Sequence, residues 1–202
     1  MKIRKVLGVF LLLTLALFIA GCDTTGDLNS TREQDLRNAL AELTDNYELE
    51  VNIYFYDELE AEAIIKVDGN KSYYKEGEFV EFYYLREGLR DLTIYQKEGD
   101  SFNVTNSNDL KDIKYDIFRL FKYQWFTYSN NKYLLKEEYY EDLREAFNFE
   151  NEEIELKAAE VVLTNKVLSD LRVTFEQERD LYYFYFKVKN INKVVIEIPE
   201  VN

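Results

Sequence analysis

Residues 47–56 read YELEVNIYFY, and this alternation restricts the chain more than any other feature. Tyr47, Leu49, Val51, Ile53 and Phe55 fall on one side and Glu48, Glu50, Asn52 and Tyr54 on the other. A period of two suits an extended strand with one covered face, not a helix. Further strands are predicted at about 61–67, 71–75, 79–86, 91–97 and 101–105. Asp68-Gly69, Glu76-Gly77 and Glu98-Gly99 punctuate them. Gly after an acidic residue marks a hairpin, because tight turns require positive φ that glycine adopts without strain. The first half therefore reads as an antiparallel meander.

Helical signals flank the meander. Ser30-Thr31-Arg32-Glu33 fits a capping box, and Leu36, Ala39, Leu40 and Leu43 follow at helical spacing, so a helix is predicted over 31–43. In NDLKDIKYDIFRLF (108–121), Leu110, Ile113, Ile117, Leu120 and Phe121 form one stripe, with Asn108 or Asp109 as cap. A short aromatic segment, YQWFTYSNNKYLL, leads to another helix near 136–147. The last third returns to strands at about 153–163, 167–176, 181–189 and 193–198, with Asn165-Lys166 and Asn190-Ile191-Asn192 as turns. Helix, strands, helices, strands is an α+β order with too few crossover helices for a parallel sheet. No Pro/Gly/Ser-rich linker divides the chain, so one domain is expected.

The N-terminus carries a second, independent pattern. Lys2, Arg4 and Lys5 precede an apolar run from Val6 to Ala20, which ends at Gly21 and at Cys22, the only cysteine. The run is shorter than the about 20 residues of a membrane span and has the build of a signal-peptide core. Ile19-Ala20-Gly21-Cys22 resembles the lipobox of bacterial lipoproteins. The resemblance implies a diacylglyceryl group on the Cys22 sulfur and cleavage between Gly21 and Cys22. An ordinary cleaved signal or an uncleaved anchor is the plainer alternative, and basic head, apolar core, small pair and sole cysteine in register weigh against it. On this reading residues 1–21 are the signal, 22–30 a lipidated polar tether, and 31–202 the folded domain. The implied address is the extracytoplasmic face of the cell membrane. Asp23 is also the residue that, in lipoproteins of two-membrane bacteria, goes with retention at the inner membrane.

Charge and composition exclude several function classes. The chain has 25 basic and 39 acidic residues, and loss of the three basic residues of the head leaves 22 against 39. That balance argues against nucleic acid, which requires cations to displace counterions, and against a polybasic grip on anionic lipid. With 17 Tyr and 14 Phe, disorder is not expected. There is no histidine, which removes Ser-His and Cys-His nucleophiles and His-ligated metal sites. Ser72-Tyr73-Tyr74-Lys75 and Ser129-Asn130-Asn131-Lys132 match S-x-x-K without its supporting elements, so chance is the better account. No Gly follows Gly99, which leaves no phosphate-cradling loop downstream. Glu137-Glu138 and Glu141-Asp142 lie a helical turn apart and read as a solvated face before they read as a Ca²⁺ or acid/base site. No enzyme activity, cofactor or metal is expected.

The aromatics are the remaining oddity. Tyr54, Tyr74, Phe82, Tyr84, Tyr183 and Tyr185 stand where a wet sheet face carries Lys, Glu and Thr, so some second faces are expected to be partly covered. Ordinary core packing with wet tyrosine hydroxyls is the bland alternative. Lipobox, early helix, long meander, two mid-chain helices and closing strands together resemble the LolA/LppX-type lipoprotein fold. VVLTNKVLSDLRVTF and YYFYFKVKNINKVVIEIPE are similar to its C-terminal strands, including the final I-x-I/L-P at Pro199. The resemblance implies a curved antiparallel sheet, an incomplete barrel wrapping helices around an apolar cavity for acyl chains. It carries no ligand residues over. From the strands themselves the candidate cavity residues are Ile53, Phe55, Ile65, Phe82, Tyr84, Ile94 and Trp125. Two readings stay open: a module binding a lipid or other apolar ligand, and a structural or protein-interaction lipoprotein whose core is filled by its own side chains.

Overall fold

The computed structural model describes residues 24–88, 91–109, 113, 118, 120–147 and 154–200. Helix α1 (Thr24–Ala41) is followed by six strands: β1 (Asn46–Phe55), β2 (Glu58–Asp68), β3 (Lys71–Glu76), β4 (Val80–Arg86), β5 (Leu92–Glu98) and β6 (Ser101–Ser107). A 3-10 turn at Tyr123–Trp125 leads to β7 (Phe126–Ser129) and β8 (Lys132–Leu135), and a second at Glu137–Tyr139 to helix α2 (Tyr140–Ala146). β9 (Ile154–Thr164), β10 (Val167–Gln177) and β11 (Asp180–Ile191) complete the set. All eleven strands form one antiparallel sheet in the order β6-β5-β4-β3-β2-β1-β11-β10-β9-β8-β7. It is two meanders joined where β1 pairs β11, and it is open, with β6 and β7 as its edges. The expected antiparallel sheet forms, with two α-helices among the described residues.

Register turns the alternation into a core. Leu49 lies between Ile65 and Val188, Val51 between Ala63 and Phe186, and Ile53 between Ala61 and Phe184. The rows extend outward through Tyr74 and Phe82 on one side and through Leu171, Val173 and Val161 on the other. α1 adds Leu36, Ala39 and Leu40 to the same core, and Leu43 in the turn that follows joins them, as the spacing predicts. α2 adds Leu143, and Phe147 after it sets its ring 5.2–5.9 Å from those of Phe175, Phe184 and Phe186. Asp35 on α1 is buried but accepts from Lys166 at 3.0 Å, so its charge is paired.

The opposite face carries its own aromatic layer. Tyr73 and Tyr83, paired across β3 and β4, meet edge to face at 4.9 Å, and Phe102 reaches Tyr83 at 5.8 Å. Beneath them Glu81 is buried, accepting from Tyr83 at 2.9 Å and from Lys97 at 3.1 Å. Burial pushes the Glu81 carboxyl up, but the two hydrogen bonds and the charges of Lys97 and Lys75 outweigh it and hold the group below its ordinary value. A lowered carboxylate adds stability above its unfolded value and loses it as pH falls through the folded one. Burial, then the Glu81 charge, pushes the Tyr73 phenol up to about 12, so the ring layer is neutral at neutral pH.

Several expectations are corrected. The first helix begins at Thr24, so Ser30–Glu33 is interior to it, and the segment expected to be a polar tether over 22–30 is helical from that point. The helix expected over 108–121 lies largely outside the described residues; Ile113, Phe118 and Phe121 are buried, but Leu120, placed on its apolar stripe, is 52% exposed. The segment read simply as aromatic holds a hairpin, β7–β8, whose two-residue turn Asn130-Asn131 has both φ values positive. The helix predicted over 136–147 is α-helical only at Tyr140–Ala146. Residues 193–198 are not a strand. Val194 and Ile196 are buried, but their backbone N–H groups donate to the side chains of Asn46 and Asp68 (2.8 and 3.1 Å), not to a ladder.

Candidate functional site

The seven candidate cavity residues occupy the core face; register explains the six on strands, and Trp125 reaches the core from the 3-10 turn before β7. Ile53 and Phe55 continue the inward row of Leu49 and Val51 on β1. Ile65 faces Tyr74, Tyr74 faces Phe82, and Tyr84 faces Ile94. Of the six aromatics expected on second faces, Tyr74, Phe82 and Tyr84 therefore belong to the core face. Tyr54, Tyr183 and Tyr185 stand on the opposite one, Tyr54 directly across from Tyr183.

Burial divides the seven. Ile65 and Tyr84 are 2% exposed and Trp125 is 5% exposed, all within the core. Ile53, Phe82 and Ile94 pack against that core but remain half-buried. Phe55 is also half-buried and sits at the rim, its ring 4.7 Å from Tyr56 and 5.0 Å from Tyr182. Rings form two groups. Phe82 stacks on Tyr84 (6.0 Å) with Tyr74 beside it (6.4 Å), and Trp125 stacks on Tyr139 (5.8 Å) with Phe121 beside it (6.2 Å). Burial, then the charge of Glu138, raises the Tyr139 phenol, so the ring on Trp125 is neutral at neutral pH. Charge borders both ring groups: Tyr74 donates to Glu76, and Lys122 and Lys136 lie over the Trp125 and Tyr139 rings at 5.6 and 5.8 Å.

Sequence reasoning missed Tyr74, Val80 and Tyr182 as members of this surface. Tyr74 was legible in principle, since it stands nine residues beyond Ile65 across an Asp-Gly turn that fixes the pairing. Val80 matters because it packs on the core and also lines an open hollow of about 390 Å³ at the sheet rim, with Leu59, Ala61 and Phe79. Phe79, at the tip of the β3–β4 turn, is 90% exposed. Glu60, Glu62, Glu76 and Glu78 line the same hollow, so it is an apolar lip in acidic surroundings. A second open hollow of about 340 Å³ lies on the opposite sheet face, lined by Tyr54, Asp57, Arg172, Tyr183 and Tyr185.

The remaining motifs dissolve on inspection of their geometry. Ser72 and Lys75 are three apart on β3, so they point to opposite faces and cannot act together. Lys132 donates to Glu160 at 2.6 Å, so the ammonium that S-x-x-K needs as a base beside Ser129 is already engaged. Glu141 pairs with Arg144 at 3.1 Å, and no group of metal-ligating side chains occurs among the described residues. Gly21 and Cys22 lie outside the described residues. No helix among those described is long and apolar enough to cross a membrane. Compared with models of known protein families the chain matches none, and comparison with curated proteins likewise finds no match.

Proposed function

We propose that this chain is a lipid-anchored envelope protein whose core face binds an acyl chain or similar apolar ligand. In this reading the open sheet bends over its helices as an incomplete barrel of the LolA/LppX kind. Cys22 carries the anchor, and no catalysis, cofactor or nucleic acid is involved. One observation carries the binding: Ile53, Phe55, Phe82 and Ile94 belong to the apolar face yet are left half-buried. Apolar area left in water forgoes about 25 cal/mol per Å², and a ligand lying along these side chains recovers it. The rim hollow, joined to the core through Val80, supplies an apolar way in. A filled core with no ligand is the second reading, favoured by the near-complete burial of Ile65, Tyr84 and Trp125.

Titration of the mature domain with a fluorescent fatty-acid analogue separates the two. Trp125 is the sole tryptophan, so its emission reports on the core face alone. Saturable binding is expected, with Phe82→Ala weakening it about tenfold, equivalent to about 1.4 kcal/mol of lost ligand contact. No binding in either signal would leave the filled core as the account.

A further inference from the structure

The hollow on the opposite sheet face has features that neither an apolar ligand nor a core explains. Tyr54, Tyr183 and Tyr185 present rings on a face where Lys, Glu and Thr are usual. Arg172 lies over the Tyr183 ring, 4.4 Å from its centroid, with its guanidinium fork exposed. Its cross-strand neighbour Glu160 is taken by Lys132 at 2.6 Å, and Arg172 makes no ion pair among the described residues. Asp170, two residues away on the same face, is engaged by the Tyr185 hydroxyl. The hydroxyls of Tyr54 and Tyr183 have no protein partner among the described residues. Beside the hollow, directly across from Tyr185, the Asn52 side-chain oxygen is shut off from water and has no hydrogen-bond partner among the described residues. An orphaned acceptor of this kind is rare in folded proteins. The rim is fixed: Tyr56 donates to Asp180 at 2.6 Å, tying the β1–β2 turn to the start of β11.

We infer that this face is a binding site for a neutral pyranose oligosaccharide. A pyranose ring has an apolar C–H face that stacks on tyrosine and a rim of hydroxyls that both donate and accept. The hollow offers the complement: three rings, free Arg172 donors, the Asp57 carboxylate and two free phenols. Its volume of about 340 Å³ lies within the range of small-ligand sites, roughly 300–1,000 Å³. An anionic ligand is disfavoured by Asp57 and Glu62 beside Arg172, since the nearby Lys187 faces Asp170 across β10 and β11, and by the acidic chain as a whole. A purely apolar ligand leaves Arg172 and Asp57 unsatisfied. The site is separate from the core face, so it stands whether or not that face binds lipid.

The test is isothermal titration of the full-length protein in phospholipid nanodiscs with cellotetraose and with the tetramer of N-acetylglucosamine, alongside a sulfated oligosaccharide. Saturable binding of a neutral tetramer is expected, weakened about tenfold or more by Tyr183→Ala and by Arg172→Ala. Tyr183→Phe keeps the stacking surface and is expected to retain most of the affinity. Arg172 is exposed, so its variant decides the matter should Tyr183→Ala lose its circular-dichroism signature. The proposal is overturned if neither neutral tetramer binds, if only the sulfated one does, or if binding survives Arg172→Ala unchanged.

Discussion

Phe186→Ala is expected to destabilise the domain by about 3–5 kcal/mol, read as a lower urea midpoint at unchanged slope. Phe186 is 0% exposed and stands on β11 between Val51 of β1 and Leu171 of β10. That position is the seam between the two meanders, so its ring packs against both halves of the sheet and against Phe147 of the helical layer at 5.7 Å. Truncation leaves a void bounded by three paired strands, whose ladders prevent collapse, so both lost transfer energy and residual cavity count. Against the roughly 5–15 kcal/mol that holds a domain, this is a fifth of the total or more. Phe79→Ala is the control. The same chemical change at a 90% exposed turn tip is expected to fall within about 0.5 kcal/mol. A loss below about 1 kcal/mol at Phe186 would mean that the two meanders are not joined through it.

Cys22→Ala is expected to move the protein wholly from the detergent phase to the aqueous phase and to leave the precursor uncut. Each buried CH₂ of an acyl chain contributes about 0.8 kcal/mol to membrane attachment, so two or three chains hold firmly and none hold nothing. Only Asp23 separates Cys22 from the first residue of α1. A helical start rises only about 1.5 Å per residue, where an extended segment reaches about 3.5 Å, so an anchor on Cys22 would hold the domain closer to the bilayer than an extended tether of the same length. Persistence of cleavage and membrane partitioning in the variant would remove the lipid anchor from the account.

The strands were legible because one face is buried and a two-residue period has few other physical causes. The Asp-Gly and Glu-Gly turns fixed their pairing in turn. Alternation, however, reports sidedness and not a ladder. Residues 193–198 bury Val194 and Ile196 and expose Val195, as a strand would, yet Asn46, Asp68 and Lys71 hold their backbone through side chains. The β7–β8 hairpin escaped because its turn is Asn-Asn, which reaches positive φ without glycine, and because rings fall on both faces of YQWFTYS. Ser30-x-x-Glu33 misled for a local reason: a capping box requires a non-helical residue at its first position, and α1 already extends to Thr24 there. Facing was the limit for the site. Tyr74 and Tyr54 carry the same side chain in similar surroundings, and only the pairing of β3 with β2 and of β1 with β11 sends one inward and the other outward.

The core face binds an apolar ligand or it does not, and the most direct measurement is native mass spectrometry of residues 23–202 purified without detergent. A bound species adding the mass of a fatty acid or phospholipid, released on unfolding and depleted in Phe82→Ala, is the predicted result. A single species at the mass of the bare polypeptide, unchanged after incubation with phospholipid vesicles, would contradict it.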